Sequence, residues 1–183
     1  YAEVSRNVRT REEKQYVTDK FQTANWLIKS LHQRATTILK VATEIVAQQA
    51  AFFDHGVEYL KPLVLRDIAE EVELHESTVS RVTSNKFIDT PRGIFELKYF
   101  FTTAINTTCG AATLSSETVR HRIKTLIEAE VPGAILSDDK LVGLLNDEGV
   151  DIARRTVAKY RESMKIPSSV LRRREKNRMV EFT

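Results

Sequence analysis

Across residues 24–54 apolar side chains recur three and four positions apart: Leu27, Leu31, Ala35, Ile38, Ala42, Ile45 and Phe52, with Ile28, Leu39, Val46 and Phe53 widening the stripe. That spacing keeps one face of an α-helix apolar, and no Gly or Pro interrupts the chain before Gly56. The pattern predicts a single helix over 24–54, about 46 Å long at about 1.5 Å per residue, with Trp26 in the core. Such a helix outruns a small domain and predicts a prop between separate parts. Phe53-Asp54-His55-Gly56 ends it, and Pro62 opens a run of short helices to about Ser84. Residues 89–93, Asp-Thr-Pro-Arg-Gly, read as a turn. Residues 94–101, IFELKYFF, are apolar and aromatic enough to fold back on the core as strand or helix, with helix favoured. Thr, Ala, Gly and Ser dominate 102–116, which predicts a flexible linker. Ser115 or Ser116 then caps a helix to about Glu130. Pro132-Gly133 breaks it, a further helix starts at Ser137 or Asp138 and runs to about Asn146, and Asp147-Glu148-Gly149 turns the chain. After Pro167 the tail is basic and is expected to fray.

Residues 65–87 carry the spacing of a helix-turn-helix. Ile68 and Ala69 supply one apolar and one small contact where two helices cross, Val72 and Leu74 flank the turn, and Val79 and Val82 anchor the second helix. The turn position usually held by Gly is Glu73 here, so the customary left-handed cap residue is missing. On the second helix Ser77, Ser80, Arg81 and Ser84 point outward. Small hydroxyls and one Arg suit a major groove, where Arg bonds guanine O6 and N7 together. His75 reads as a helix-start residue. The competing reading is a helical hairpin within a bundle.

A second such unit follows. In ARRTVAKYR, residues 153–161, four cations occur with no acid, although the chain holds 25 acidic residues. On a helix Ala153, Val157, Tyr160 and Met164 form one stripe that can be buried. Arg154, Arg155, Lys159 and Arg161 spread over the other side, with the small Ala158 near its centre. Solvated charged faces usually mix signs, and this one does not. Leu141, Leu144 and Leu145 supply its first helix and Gly149-Val150 its turn. Arg155-Thr156-Val157-Ala158-Lys159 then parallels Ser77-Thr78-Val79-Ser80-Arg81, after an interval two residues longer than usual.

Composition sharpens the picture only through its distribution. With 183 residues, 42% of them hydrophobic, the chain can form one or two small domains, and its net charge is only +3. Residues 54–76 hold seven acids against two bases and 128–151 seven against one, whereas 152–183 hold ten bases against three acids. A local basic surface beside acidic ones favours binding a polyanion in a fixed orientation. The lone Cys109 allows no disulfide within the chain and fits a reducing, cytoplasmic setting. No apolar run approaches a membrane span, and no secretory signal is present. The chain opens on Tyr1 and reads as part of a longer protein. His32, His55, His75 and His121 are scattered without ligand spacing, and there is no phosphate loop, HExxH or Cys/His cluster, so no catalytic residue, metal or cofactor is expected. A symmetric dimeric repressor fits poorly with two unlike recognition helices. A helical protein-interaction module remains a third reading of the long helix.

ARRTVAKYR resembles, letter for letter, the RpoN box of the enhancer-dependent bacterial sigma factors, the sigma-N class. LHESTVSRVTSNKF followed by TPRGIFELKYFF is similar to that family's central helix-turn-helix region, and WLIKSL is similar to its long helix. The resemblance is weakest at 1–20, at 107–114 and after Arg174. It implies an all-α chain: the end of a core-binding domain at 1–20, the long helix and central helix-turn-helix at 21–101, the linker at 102–116, and the RpoN-box domain with its basic tail at 117–183. It implies a protein that recognises promoters with an upstream GG and a downstream GC element and joins core RNA polymerase on the nucleoid. Arg154, Arg155, Ala158, Lys159 and Arg161 would lie at the upstream element, and His75, Ser77, Ser80, Arg81 and Ser84 at the downstream one. In the family an ATP-driven activator acts through a Gln- and Leu-rich N-terminal region, which this sequence lacks.

Overall fold

A computed structural model describes residues 10–105 and 113–180. Cys109 and the middle of the expected linker lie outside the described residues. Helix α1 spans Arg11–Gln48. Thr10 caps it, accepting from Glu13 N while its own N–H donates to the Glu13 carboxylate, each at 3.2 Å. The helix therefore starts well before residue 24, and the division expected at 20/21 falls inside it. It breaks at Gln49, whose fully buried amide donates to Lys61 O at 2.9 Å and accepts from Lys61 N at 3.0 Å. Helix α2, Ala50–His55, continues beyond the break to Gly56.

Only the C-terminal part of α1 is packed. Val41 and Ile45 are fully buried, but Trp26, Leu27, Ile28 and Leu31 are between half and two-thirds exposed. The stripe is thus not core along its whole length, because no other described element reaches its first half.

A 3-10 turn, Val57–Tyr59, leads to α3, Leu65–Glu71, and α4, Glu76–Thr83. Residues 94–101 do not form the favoured helix. They are strand β2, Gly93–Glu96, paired antiparallel with β1, Phe87–Thr90, followed by a 3-10 turn, Leu97–Phe100. The reason is aromatic density, which favours an extended chain. Phe95, Tyr99 and Phe100 converge on the ring of Phe52 at centroid distances of 5.3, 6.1 and 5.3 Å. The hairpin turn is where residues 89–93 predict it. Its Arg92 donates to Phe53 O at 2.9 Å and to Asp54 O, closing the end of α2.

The expected linker is structured at both ends. Thr102 bridges to Leu63, and β3, Ala104–Ile105, pairs with β4, Leu114–Ser115. Then come α5, Ser116–Glu128, α6, Asp138–Asp147, and α7, Arg154–Ser163. The tail does not fray after Pro167 but forms α8, Ser169–Val180. The architecture is helical with two small antiparallel pairs. Its apolar side chains gather into two clusters, one around Ile45, Phe52, Ile68 and Val79, the other around Ile123, Leu141, Leu145 and Val157.

Candidate nucleic-acid interface

Two helix pairs in this chain are built on the same turn. After α3, Leu74 N donates to Ala69 O at 2.9 Å; after α6, Val150 N donates to Leu145 O at 2.9 Å. Both are six-to-one closures around a left-handed residue. That residue is Gly149 at φ 85° in the second turn and Glu73 at φ 53° in the first. The left-handed cap that the sequence reading takes as missing, for want of glycine, is therefore formed by Glu73 itself. Lys40 Nζ donates to Val72 O at 2.8 Å and helps hold this turn. In the second pair Arg122 hydrogen-bonds Glu148, with Nε to Oε2 at 2.8 Å, and thereby holds that carboxyl below its ordinary range.

The second helix of each pair is anchored by a fully buried valine, Val79 in α4 and Val157 in α7. Around these anchors Ser77, Ser80 and Arg81 occupy the same helical positions as Arg155, Ala158 and Lys159. The extra residues of the second unit lie between Gly149 and the cap position Ala153, where Val150 and Ile152 turn inward to the core.

In α4, His75 is the cap: its Nδ1 accepts from Ser77 N at 3.1 Å and lies 2.8 Å from Ser77 Oγ. An accepting Nδ1 places the proton on Nε2, leaving a donor for an outside partner. Ser77 and Arg81 are exposed, and Ser80 is half-buried. Ser84 is the C-cap residue, and its hydroxyl donates to Ser80 O at 2.7 Å, so only its acceptor capacity is open.

Helices α4, α5 and α6 each open on a side-chain cap and carry an acid in the first turn; α7, like α2 and α8, has no acid there, and it has no side-chain cap and Arg154 and Arg155 instead. Cations there oppose the helix dipole and weaken an isolated helix. Open amides flanked by guanidinium groups are what a phosphate or a base edge needs. Arg155 and Lys159 are exposed and carry no ion pair among the described residues. Arg154 pairs with Asp139 at 3.2 Å, but both are about two-thirds exposed, so the pair is worth under about 1 kcal/mol and is easily exchanged. Ala158 is half-buried on the same face, and Val157, Tyr160 and Met164 pack inward.

Arg161 departs from the expected basic face. Its side chain is 7% exposed and grips Asp138 with both branches, at 2.9 and 3.1 Å, while Nη1 donates to Ile166 O at 2.9 Å. Hydrogen bonding to Asp138 raises its guanidinium above the ordinary value. This arginine orients α7 on α6 and is not presented to a ligand. A residue that sequence reasoning passes over does the same for α8. Arg172 is buried against Glu130, with bonds of 2.8 and 3.1 Å, and also donates to Leu136 O and Pro167 O. Neither pairing shows in an apolar period. A fixed arginine amid a basic run, and an acid just before Pro132, were the available signals.

No group of His, Cys, Asp and Glu among the described residues could hold a metal, and no described helix is long and apolar enough to cross a membrane.

The family described as Sigma-54, DNA binding domain, matches residues 14–174. The chain is 60% identical over 176 residues to the RNA polymerase sigma-54 factor of Azorhizobium caulinodans, covering 96% of this chain and 34% of that protein. It is 59% identical over 175 residues to that of Caulobacter vibrioides, covering 95% and 35%. A crystal structure of Aquifex aeolicus sigmaN bound to promoter DNA matches with a TM-score of 0.55 and 34% identity over 92% of this chain and 50% of that one. The chain spans about a third of the length of the curated relatives it matches. With two helix pairs of shared turn geometry, an RpoN box on the outer helix of the second, and a family match over nearly its whole length, the chain belongs to the sigma-54 DNA-binding domain family.

Proposed function

We propose that this chain recognises double-stranded promoter DNA as the DNA-binding part of an enhancer-dependent sigma factor. Helix α7 lies at the upstream GG element, where Arg154 and Arg155 read guanine, Lys159 contacts the phosphate backbone and Ala158 allows close approach. Helix α4 lies at the downstream GC element with His75, Ser77, Ser80, Arg81 and the acceptor oxygen of Ser84. Residues 21–101 and 117–183 act as the two DNA-reading units. The protein is not an enzyme on this reading, and it works on the nucleoid in the cytoplasm. Core RNA polymerase and an ATP-driven activator are the partners of the longer protein.

The observation that carries the reading is the acid-free first turn of α7. It is unfavourable for a helix left in water and favourable for one set against guanine and phosphate. Two unlike recognition helices also suit an asymmetric site better than a palindrome. Footprinting on duplexes bearing both elements, either one, or neither provides the test. Protection at the GG and GC positions of the double-element duplex, lost from each element when it is scrambled, is expected. Equal protection of scrambled DNA would reject sequence-specific reading.

A further inference from the structure

The two apolar clusters are joined by more than the chain between them. Helix α5 starts where they meet. Thr118 Oγ1 donates to Val57 O at 3.1 Å, with Leu60 O at 3.4 Å, so its proton is committed to the turn that follows α2. Ser115 Oγ, 2.8 Å from Thr118 Oγ1, is then the donor of that pair, while it accepts from Thr118 N at 3.0 Å. Ser115 is fully buried and Thr118 is 9% exposed. Ser116 N donates to Thr103 O at 3.0 Å, which fastens the start of α5 to the chain leaving the first cluster.

The same helix reaches the RpoN-box helix from its other side. Arg120 pairs with Glu117 at 2.5 Å, and its guanidinium lies over the ring of Tyr160, 4.9 Å from the centroid. Val119 and Ile123 of α5 share their apolar cluster with Val157 of α7. Helix α5 is therefore a bracket, fastened at one end to residues 57–60, whose Leu60 belongs to the cluster that holds the α3–α4 pair, and with α7 along its side.

From this we infer that Thr118 is a positioning residue that selects the spacing between two DNA elements. It docks α5 on residues 57–60 and so holds α4 and α7 at one separation. The inference rests on the promoter-reading function proposed above. A flexible tether between two binding units tolerates changes of spacing, because only its length limits simultaneous engagement. A docked pair does not. B-DNA turns once in about 10–10.5 base pairs, so five inserted base pairs carry one element to the opposite face. Both helices then reach their elements only if the Thr118 contact breaks.

Two measurements test this on the full chain. In a Cys109→Ser background, spin labels at Glu71→Cys on α3 and Lys124→Cys on α5 report docking without DNA. Pulsed dipolar spectroscopy should give one narrow distance for the parent and for Thr118→Ser, which keeps the hydroxyl, and a broad distribution for Thr118→Val. Anisotropy titrations at one salt concentration then compare a promoter duplex carrying both elements, the same duplex lengthened by five base pairs, and the upstream element alone. The parent and Thr118→Ser should prefer the natural spacing by about tenfold or more. Thr118→Val should lose most of that preference, with its affinity for the upstream element alone unchanged within about twofold, which shows that the α7 unit remains folded. A broad distance in the parent, or a Thr118→Val variant that keeps the full preference, overturns the inference. If the parent binds no single-element duplex, the promoter reading fails and the spacing role with it, and a narrow distance would then report docking alone.

Discussion

Arg155 and Arg161 lie six residues apart in one helix and have opposite tasks. Arg155 is exposed at the start of α7 without an ion pair among the described residues, while Arg161 is buried two turns on against Asp138. Arg155→Ala should cost about 1–3 kcal/mol of binding to the GG element and relax preference there, if the guanidinium is bidentate to guanine. Lys159→Ala should weaken all sequences alike and lower the salt slope by about one. Titrations on GG and scrambled duplexes over a salt series separate these outcomes, and an unchanged GG affinity for Arg155→Ala would remove it from the reading face. Arg172 tests the inward arginines. It meets a carboxylate whose side chain is fully buried, Glu130, and breaking such a pair from one side leaves that buried charge with only Leu136 N and the more distant Lys176, at 3.7 Å, as partners. Arg172→Ala should destabilise by about 3–5 kcal/mol, read from urea unfolding, whereas an exposed tail arginine such as Arg174 should contribute within about 0.5 kcal/mol. Equal melting of the two variants would show that α8 does not depend on its ion pair.

Among the elements, the two turns carry the most specific stability argument. Glu73 at φ 53° holds a conformation that costs an L-residue about 1–2 kcal/mol, while Gly149 adopts it freely. Glu73→Gly should therefore be neutral or stabilising by up to about 1 kcal/mol, once the greater freedom of Gly in the unfolded chain is counted. Gly149→Ala should destabilise by about 1–2 kcal/mol. Thermal melts of both variants decide it, and a destabilised Glu73→Gly would mean that the Glu73 side chain contributes more than its backbone costs. These elements also show what the sequence makes legible. Both helix pairs and their anchors Val79 and Val157 follow from spacing, because turns and crossings are local, whereas the left-handed cap at Glu73 does not, because residue type alone argues against it. The burial of α1 was misjudged, since a period reports a face but not what covers it, and Trp26 is two-thirds exposed. For residues 94–101 strand and helix both stay open with helix favoured, and the strand at Gly93–Glu96 is found instead, because a short aromatic run satisfies either period until a hairpin partner is known. Arg161 was placed on the wrong face because nothing local to it shows Asp138, 23 positions away. Helix α8 is illegible for the same reason: what fixes it are long-range contacts of Arg172 and Lys176 with Glu130 and of Arg172 with Leu136 O.

Over the whole molecule, Tyr99 reports whether the two clusters stay docked. It belongs to the first cluster, is half-buried, and feels the Glu117 carboxylate and the Arg120 guanidinium of α5. Burial first, then the Glu117 charge, pushes its phenol from 10.0 up to about 12, with Arg120 pulling the other way. A phenol harder to ionise in the folded chain than in the unfolded one stabilises the fold fully below pH 10, and that stability is lost as the pH rises from 10 toward about 12. Tyr99→Phe should remove this component, so the difference in melting temperature between parent and variant should narrow or reverse in favour of the variant above pH 10. The same phenol gives a site-specific reading of docking. The chain holds five tyrosines, and subtracting the tyrosinate absorbance titration of Tyr99→Phe from that of the parent isolates Tyr99. In the Thr118→Val background α5 should separate from residues 57–60, carrying Glu117 away and admitting water to the ring. The Tyr99 transition should then move down toward that of an ordinary tyrosine, while Thr118→Ser should leave it near its high position. A Tyr99 transition that stays equally high in Thr118→Val would show that the burial around this ring belongs to the first cluster alone, and that the bracket formed by α5 is not what links the two DNA-reading units.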